Sequence, residues 1–175
     1  MKVCLWGLPG SGKTTILPFL AEQLRLDAFD LDELIVQKHR QSIATIFQQF
    51  GEDYFRGCEA EQLRFLFENY DSFMLACGGG TPCFKGNDQF LLKNAVCVWL
   101  NPDIKTIYNR LLATPIENRP LFQNETNSIN NLLALRYLRK INYQQAHIIC
   151  AENSPEVSRL AQQITSCWLT LFCPE

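Results

Sequence analysis

The run Gly7-Leu8-Pro9-Gly10-Ser11-Gly12-Lys13-Thr14-Thr15 constrains this chain more than any other stretch. It satisfies G-x-x-x-x-G-K-[ST], and it stands between an apolar run at 2–6 and a helix-compatible run at 14–26. Buried strand, glycine-rich turn and helix N-terminus in that order define a phosphate-binding loop. Glycine serves where the backbone must take positive φ and wrap an anion closely. The loop amides and the helix dipole then present partial positive charge to a phosphate. In such a loop the lysine, Lys13, reaches the β- and γ-phosphates, and the Thr14 hydroxyl holds Mg²⁺. Gly10, Ser11, Gly12, Lys13, Thr14 and Thr15 are therefore candidate nucleotide-binding residues, and Mg²⁺ is the expected cofactor.

Five short apolar runs, at 3–6, 28–29, 73–77, 95–100 and 147–150, alternate with helix-period segments. Continuous apolar runs of this length read as strands buried on both faces, hence an α/β fold with a parallel sheet covered by helices. Helices are expected at 12–25, 31–38, 42–49, 52–70, 88–94, 102–113, 128–145 and 154–172. Ser42, Asn101 and Ser154 are the expected N-caps, with Pro102 and Pro155 opening two of the helices. Pro18 removes a hydrogen bond inside the first helix and is expected to kink it. The 175 residues suit a single domain, 1–175. The polar break at 114–128 has the length and composition of a functional loop or lid.

A net charge of −2 with no basic tract argues against broad binding to nucleic acid or anionic membrane. The apolar stretch 164–172 is too short to span a bilayer. With the phosphate loop beginning at Gly7, no cleaved signal peptide is expected before it. The eight cysteines include no C-x-x-C pair, and Cys4, Cys77, Cys97 and Cys150 fall in expected strands as small hydrophobes. A cytoplasmic setting follows as an expectation. His39 and His147 read as structural, since no His/Cys set has zinc-ligand spacing. With no exposed apolar helix face evident by pattern, a monomer is expected.

Other polar residues bear on the acceptor. Asp30 and Asp32 close the second strand, at the edge where open α/β sheets bind ligands. Arg56 and Glu59 are i,i+3 neighbours, a spacing that a surface ion pair also explains. Gly78, Gly79 and Gly80 follow the third strand and imply a close backbone approach. Arg110 and Arg119 flank or occupy the polar loop, where a mobile arginine can neutralise phosphoryl-transfer charge.

Taken in order, these motifs resemble the shikimate kinase family. The phosphate loop, Asp30-x-Asp32, Ser42-Ile43 with Ile46-Phe47, and Gly51-Glu52 with Phe55-Arg56 and Glu59 all match. So do the 78–80 glycines, Arg119-Pro120-Leu121, and Arg139 with Tyr143. The resemblance implies a three-layer α/β/α, five-stranded P-loop kinase fold like that of the nucleoside monophosphate kinases. It implies an ATP-dependent phosphorylation of the shikimate 3-hydroxyl, with ATP and shikimate as the small-molecule partners. Lys13, Asp32 and Arg119 would be catalytic, and Thr14 with Asp30 would serve the metal. Asp32, Arg56, Gly78, Gly79, Gly80 and Arg139 would bind the acceptor, Arg56 and Arg139 gripping its carboxylate. Arg110, Arg119, Asn153 and Pro155 would join the phosphate loop in binding ATP. Residues 114–128 would be the lid and 31–70 the acceptor-binding helices.

The turn at 151–155 lacks the arginine common in the family's adenine loop. Arg136, one turn from Arg139, competes with it for the carboxylate, and the spacing to Tyr143 favours Arg139. Gluconate and nucleoside monophosphate kinases share these general features, and a GTPase-like switch is the alternative outside enzymes of this kind. No Asn-Lys-x-Asp guanine-reading element occurs in the chain.

Overall fold

The apolar runs form the strands they forecast. The computed structural model describes residues 1–113 and 129–173. In it β1 (Lys2–Trp6), β2 (Ala28–Asp30), β3 (Phe73–Ala76), β4 (Val96–Leu100) and β5 (Ile148–Cys150) form one sheet. The strands are parallel and ordered β2-β3-β1-β4-β5. Cys4 of the central β1 lies opposite Leu75 on one side and Cys97 on the other.

Side chains alternate across a strand, so β1 feeds two cores. Val3 and Leu5 pack with Leu17 and Leu20 of α1 (Lys13–Leu24) and with Leu160 and Ile164 of α7 (Val157–Phe172). Cys4 and Trp6 face the opposite layer. There they join Ile35 of α2 (Leu31–His39), Leu63 and Leu66 of α3 (Ile43–Asn69) and Leu91 of α4 (Asn87–Asn94). Ile107 of α5 (Ile104–Leu112) and Leu132 of α6 (Ile129–Tyr143) complete that side. The result is the three-layer α/β/α arrangement expected from the sequence.

Departures concentrate at helix ends. The helices expected at 42–49 and 52–70 run on as α3, broken only at Gly51, where φ 81 and ψ 176 occupy a region essentially reserved for glycine. Ser42 caps α3 as expected, its Oγ accepting from Thr45 N at 3.1 Å. The cap of α5 is Asp103 rather than Asn101, its carboxylate accepting from Thr106 N at 2.7 Å. Helix α7 opens at Val157 after Glu156, not after Ser154. The preceding turn is held instead by Asn153, which bonds Asp103. Helix α1 runs through the exposed Pro18.

His147 is structural, its Nδ1 accepting from Cys97 N at 3.0 Å beside the sheet. No helix among the described residues is long and apolar enough to cross a membrane. Contrary to the sequence pattern, α6 does expose an apolar face, formed by Leu133, Tyr137, Leu138 and Ile141. The expected lid at 114–128, Arg119 included, lies outside the described residues.

Candidate active site

One edge of the sheet carries the chemistry. At their C-terminal ends β1 runs into the phosphate loop, β2 ends in Asp30, β3 leads to Gly78, and β5 leads to the turn at Asn153. The first three of these border a cavity of about 500 Å³.

The loop glycines Gly7, Gly10 and Gly12 take φ of 147°, 80° and 100°. A Cβ at Gly7 would come within 2.6 Å of both Leu100 O and Ser11 Oγ. Lys13, the first residue of α1, folds its Nζ back to donate to Gly7 O at 2.9 Å and Leu8 O at 3.1 Å. Burial pushes its ammonium down to about 8, against the opposing pull of Asp32 and Asp30. Beside it the Thr14 hydroxyl donates to Asp30 Oδ2 at 2.8 Å. Asp30 is also the N-cap of α2, accepting from Asp32 N at 3.0 Å. A hydroxyl and a carboxylate so placed supply the hard oxygen donors that Mg²⁺ takes.

Asp32 faces the same cavity. Burial, reinforced by the charges of Asp30 and Glu59, raises its carboxyl to about 7. That places a proton acceptor near neutral pH, where general bases work best.

Arg56 and Glu59, spaced like a surface pair, are both buried: Nη1 of Arg56 meets Glu59 Oε2 at 2.5 Å. Glu52 adds a second carboxylate at 3.0 Å from Nη2. Arg139 lines the cavity, and Arg136 is not among its lining residues. Nη1 of Arg139 is buried with no hydrogen-bond partner among the described residues. Tyr143, one turn on, donates its hydroxyl to Gly79 O.

The three glycines are needed for space, not for torsion. None has positive φ. A Cβ at Gly78 would overlap Glu59 Oε1, one at Gly79 would lie 2.8 Å from Arg139 Nη1, and one at Gly80 would lie 2.5 Å from both Arg56 Nη1 and Nη2. The close approach inferred from the sequence is thus, at least, an approach to the site's own arginines and buried carboxylate.

Arg110 joins the phosphate loop to the turn that follows β5. Its Nη1 donates to Ser11 O at 3.2 Å and its Nη2 to Asn153 O at 2.5 Å. Asn153 and Pro155 are not among the residues that line the cavity, and Ser11 is buried within the loop. Gly10, Gly12, Thr14 and Thr15 all line the cavity.

Sequence reasoning did not propose Ile43, Phe47 and Phe55, which form an apolar wall of the cavity. Ile43 and Phe47 are i,i+4 on α3, a spacing that marks one helix face. Glu59 entered the sequence reading as a partner of Arg56 and as part of a family motif, and its full burial comes from packing that no local pattern shows.

A parallel sheet of this order, with a phosphate loop at its central strand and an arginine-and-carboxylate pocket alongside, defines a P-loop kinase. The family model of shikimate kinase matches residues 9–168, and the chain belongs to that family, phosphotransferases that act on an alcohol group. It is 34% identical to shikimate kinase of Macrococcus caseolyticus over 164 residues, 94% of each chain. Shikimate kinase from Acinetobacter baumannii, solved in complex with shikimate, superposes with a TM-score of 0.85 at 31% identity, covering 99% of this chain and 95% of that one. The enzyme from Bacteroides thetaiotaomicron superposes with a TM-score of 0.81 at 25% identity over 99% of each chain.

Proposed function

We propose that this site transfers the γ-phosphoryl group of ATP to the 3-hydroxyl of shikimate. The observation that carries the reading is that one cavity holds the phosphate loop, the arginines Arg56, Arg110 and Arg139, and a carboxylate raised to about 7. Shikimate is a small carboxylate with ring hydroxyls, and this donor and acceptor set matches it.

Arg56, held by Glu59, and Arg139, with an uncommitted Nη1, would clamp the acceptor carboxylate in the bidentate manner that guanidinium favours. The apolar wall of Ile43, Phe47 and Phe55 would pack against the ring. Asp32 would accept the proton of the attacking hydroxyl and orient that hydroxyl toward the phosphate. Lys13 would leave the loop carbonyls, which bind it only weakly beside a phosphate charge, and steady the transferring group. Thr14 and Asp30 would hold Mg²⁺, which supplies neutralisation of phosphate charge when bound. Arg110 and the Asn153 turn would border the base, and Arg119 would reach the phosphates from 114–128. Closure of that segment as a lid would exclude water from the transfer. All eight cysteines are thiols, which fits a reducing, cytoplasmic setting.

An ADP-release assay with ATP and Mg²⁺ against shikimate, gluconate and nucleoside monophosphates tests this reading. Turnover with shikimate alone is expected. Turnover with another acceptor but not shikimate would overturn the acceptor assignment, and hydrolysis indifferent to acceptor would overturn the kinase reading.

A further inference from the structure

Both oxygens of the fully buried Glu59 carboxylate are engaged. Oε2 accepts from Arg56 Nη1 at 2.5 Å, and Oε1 accepts from the Thr81 hydroxyl at 2.5 Å. Thr81 is also fully buried. It opens the short 3-10 turn Thr81–Cys83 that follows the three glycines. Its backbone is fixed on both sides: the N–H donates to Gly78 O at 3.1 Å, and the carbonyl accepts from Asn87 Nδ2 at 3.1 Å. The terminal torsion of a glutamate is broad and soft. With only Arg56 bound, the carboxylate could turn and shift the Nη1 side of the guanidinium, whose other side is held by the exposed Glu52 at 3.2 Å from Nε and 3.0 Å from Nη2. A second donor on the other oxygen locks the plane.

We propose that Thr81 is a positioning residue for the acceptor: by holding Glu59 Oε1 it sets the direction in which Arg56 presents its fork. This inference rests on the reading of Arg56 as a grip on the acceptor carboxylate. The neighbouring glycine supports it. The space left at Gly78 is filled by Glu59 Oε1 and by Thr81 Oγ1, which would lie 3.0 Å from a Cβ there. The hydroxyl–carboxylate contact thus occupies room that only glycine leaves free. A buried threonine that merely filled the core would need no such clearance around its hydroxyl.

The test compares Thr81→Val, which keeps shape and removes the donor, with Thr81→Ser, which keeps the donor. The valine variant is expected to raise the KM for shikimate by about 5–20-fold, a part of what a buried hydrogen bond to a charged group contributes. KM for ATP and kcat should stay within about twofold, and serine should restore the parental shikimate KM. Equal changes in both KM values, or an unchanged shikimate KM with a lowered melting temperature, would show Thr81 to be structural only. If the valine variant does not fold, Thr81→Ala against Thr81→Ser asks the same question, since that pair differs by the hydroxyl alone. Arg56→Ala separates the two levels. Were shikimate KM unmoved in Arg56→Ala, the acceptor reading itself would fall. Were it raised there but unmoved in Thr81→Val, only the role of Thr81 would.

Discussion

Replacing Gly80 with alanine tests the arginine fork from the opposite side. Gly80 has φ −97 and ψ −14, a conformation alanine adopts without strain, so the perturbation is purely steric. The added Cβ would lie 2.5 Å from both Arg56 Nη1 and Nη2. Ordinary non-bonded contact begins at about 3.5 Å, so the guanidinium must retreat by about 1 Å. It has little freedom to do so, because Glu59 holds it at 2.5 Å and Glu52 at 3.0 Å. A misplacement of about 1 Å in a positioned group can cost about 10²-fold, and losing one partner of a buried charge pair costs about 2–5 kcal/mol. The KM for shikimate should therefore rise by about 10–100-fold in Gly80→Ala, with the KM for ATP within about threefold of the parent. Overpacking costs about 1–3 kcal/mol, and at about 2–4 °C per kcal/mol for a chain of this size the melting temperature should fall by about 2–12 °C. Steady-state kinetics with each substrate varied in turn, and a thermal melt, supply both readouts. A fall in melting temperature with no change in shikimate KM would refute the argument. Gly80 would then be a packing glycine, and Arg56 no part of the acceptor grip.

Much of this molecule was legible because its strongest signals are local. The phosphate loop, the five apolar runs and the Ser42 cap each need only a few neighbouring residues. What sequence reading missed depends on contacts far along the chain. Asn101-Pro102 and Asp103 both satisfy the rules for a helix start, and the bonds between Asp103 and Asn153, 50 residues away, accompany the choice of Asp103. The Arg56–Glu59 spacing is the same on a surface as in a core, and only the fold buries both. The glycines at 78–80 announced a close approach without saying to what. The approaching groups come from α2, α3, α6, the phosphate loop and the turn after the glycines themselves. An apolar stripe on α6 has the same period whether a neighbour covers it or water does, so its exposure could not be read from periodicity.

Two further perturbations separate the nucleotide end from the acceptor end. Asn153→Ala removes both side-chain bonds to Asp103 and loosens the turn whose carbonyl receives Arg110. It should raise the KM for ATP by about 3–10-fold and leave that for shikimate unchanged, and the reverse pattern would remove this turn from the nucleotide site. Asp32→Asn probes the charge the pocket holds at a cost. The carboxyl of Asp32 is raised from 3.8 to about 7 by burial and by Asp30 and Glu59. Its contribution to stability is therefore fully present below pH 3.8 and lost as the pH rises through 7. Asparagine stays neutral throughout. At 1.36 kcal/mol per pH unit, trimmed for the partial exposure of Asp32, the variant should gain about 2–4 kcal/mol at pH 8 in nucleotide- and metal-free buffer. Its melting temperature should then exceed the parent's by about 4–16 °C at that pH, with the gap closing toward pH 4. Turnover should fall by about 10²–10⁴-fold at the same time, the contribution of a positioned base. A variant that melts no higher than the parent at pH 8 would show that the pocket does not hold a charge against desolvation. A variant that stays active would show that the proton leaves by another route.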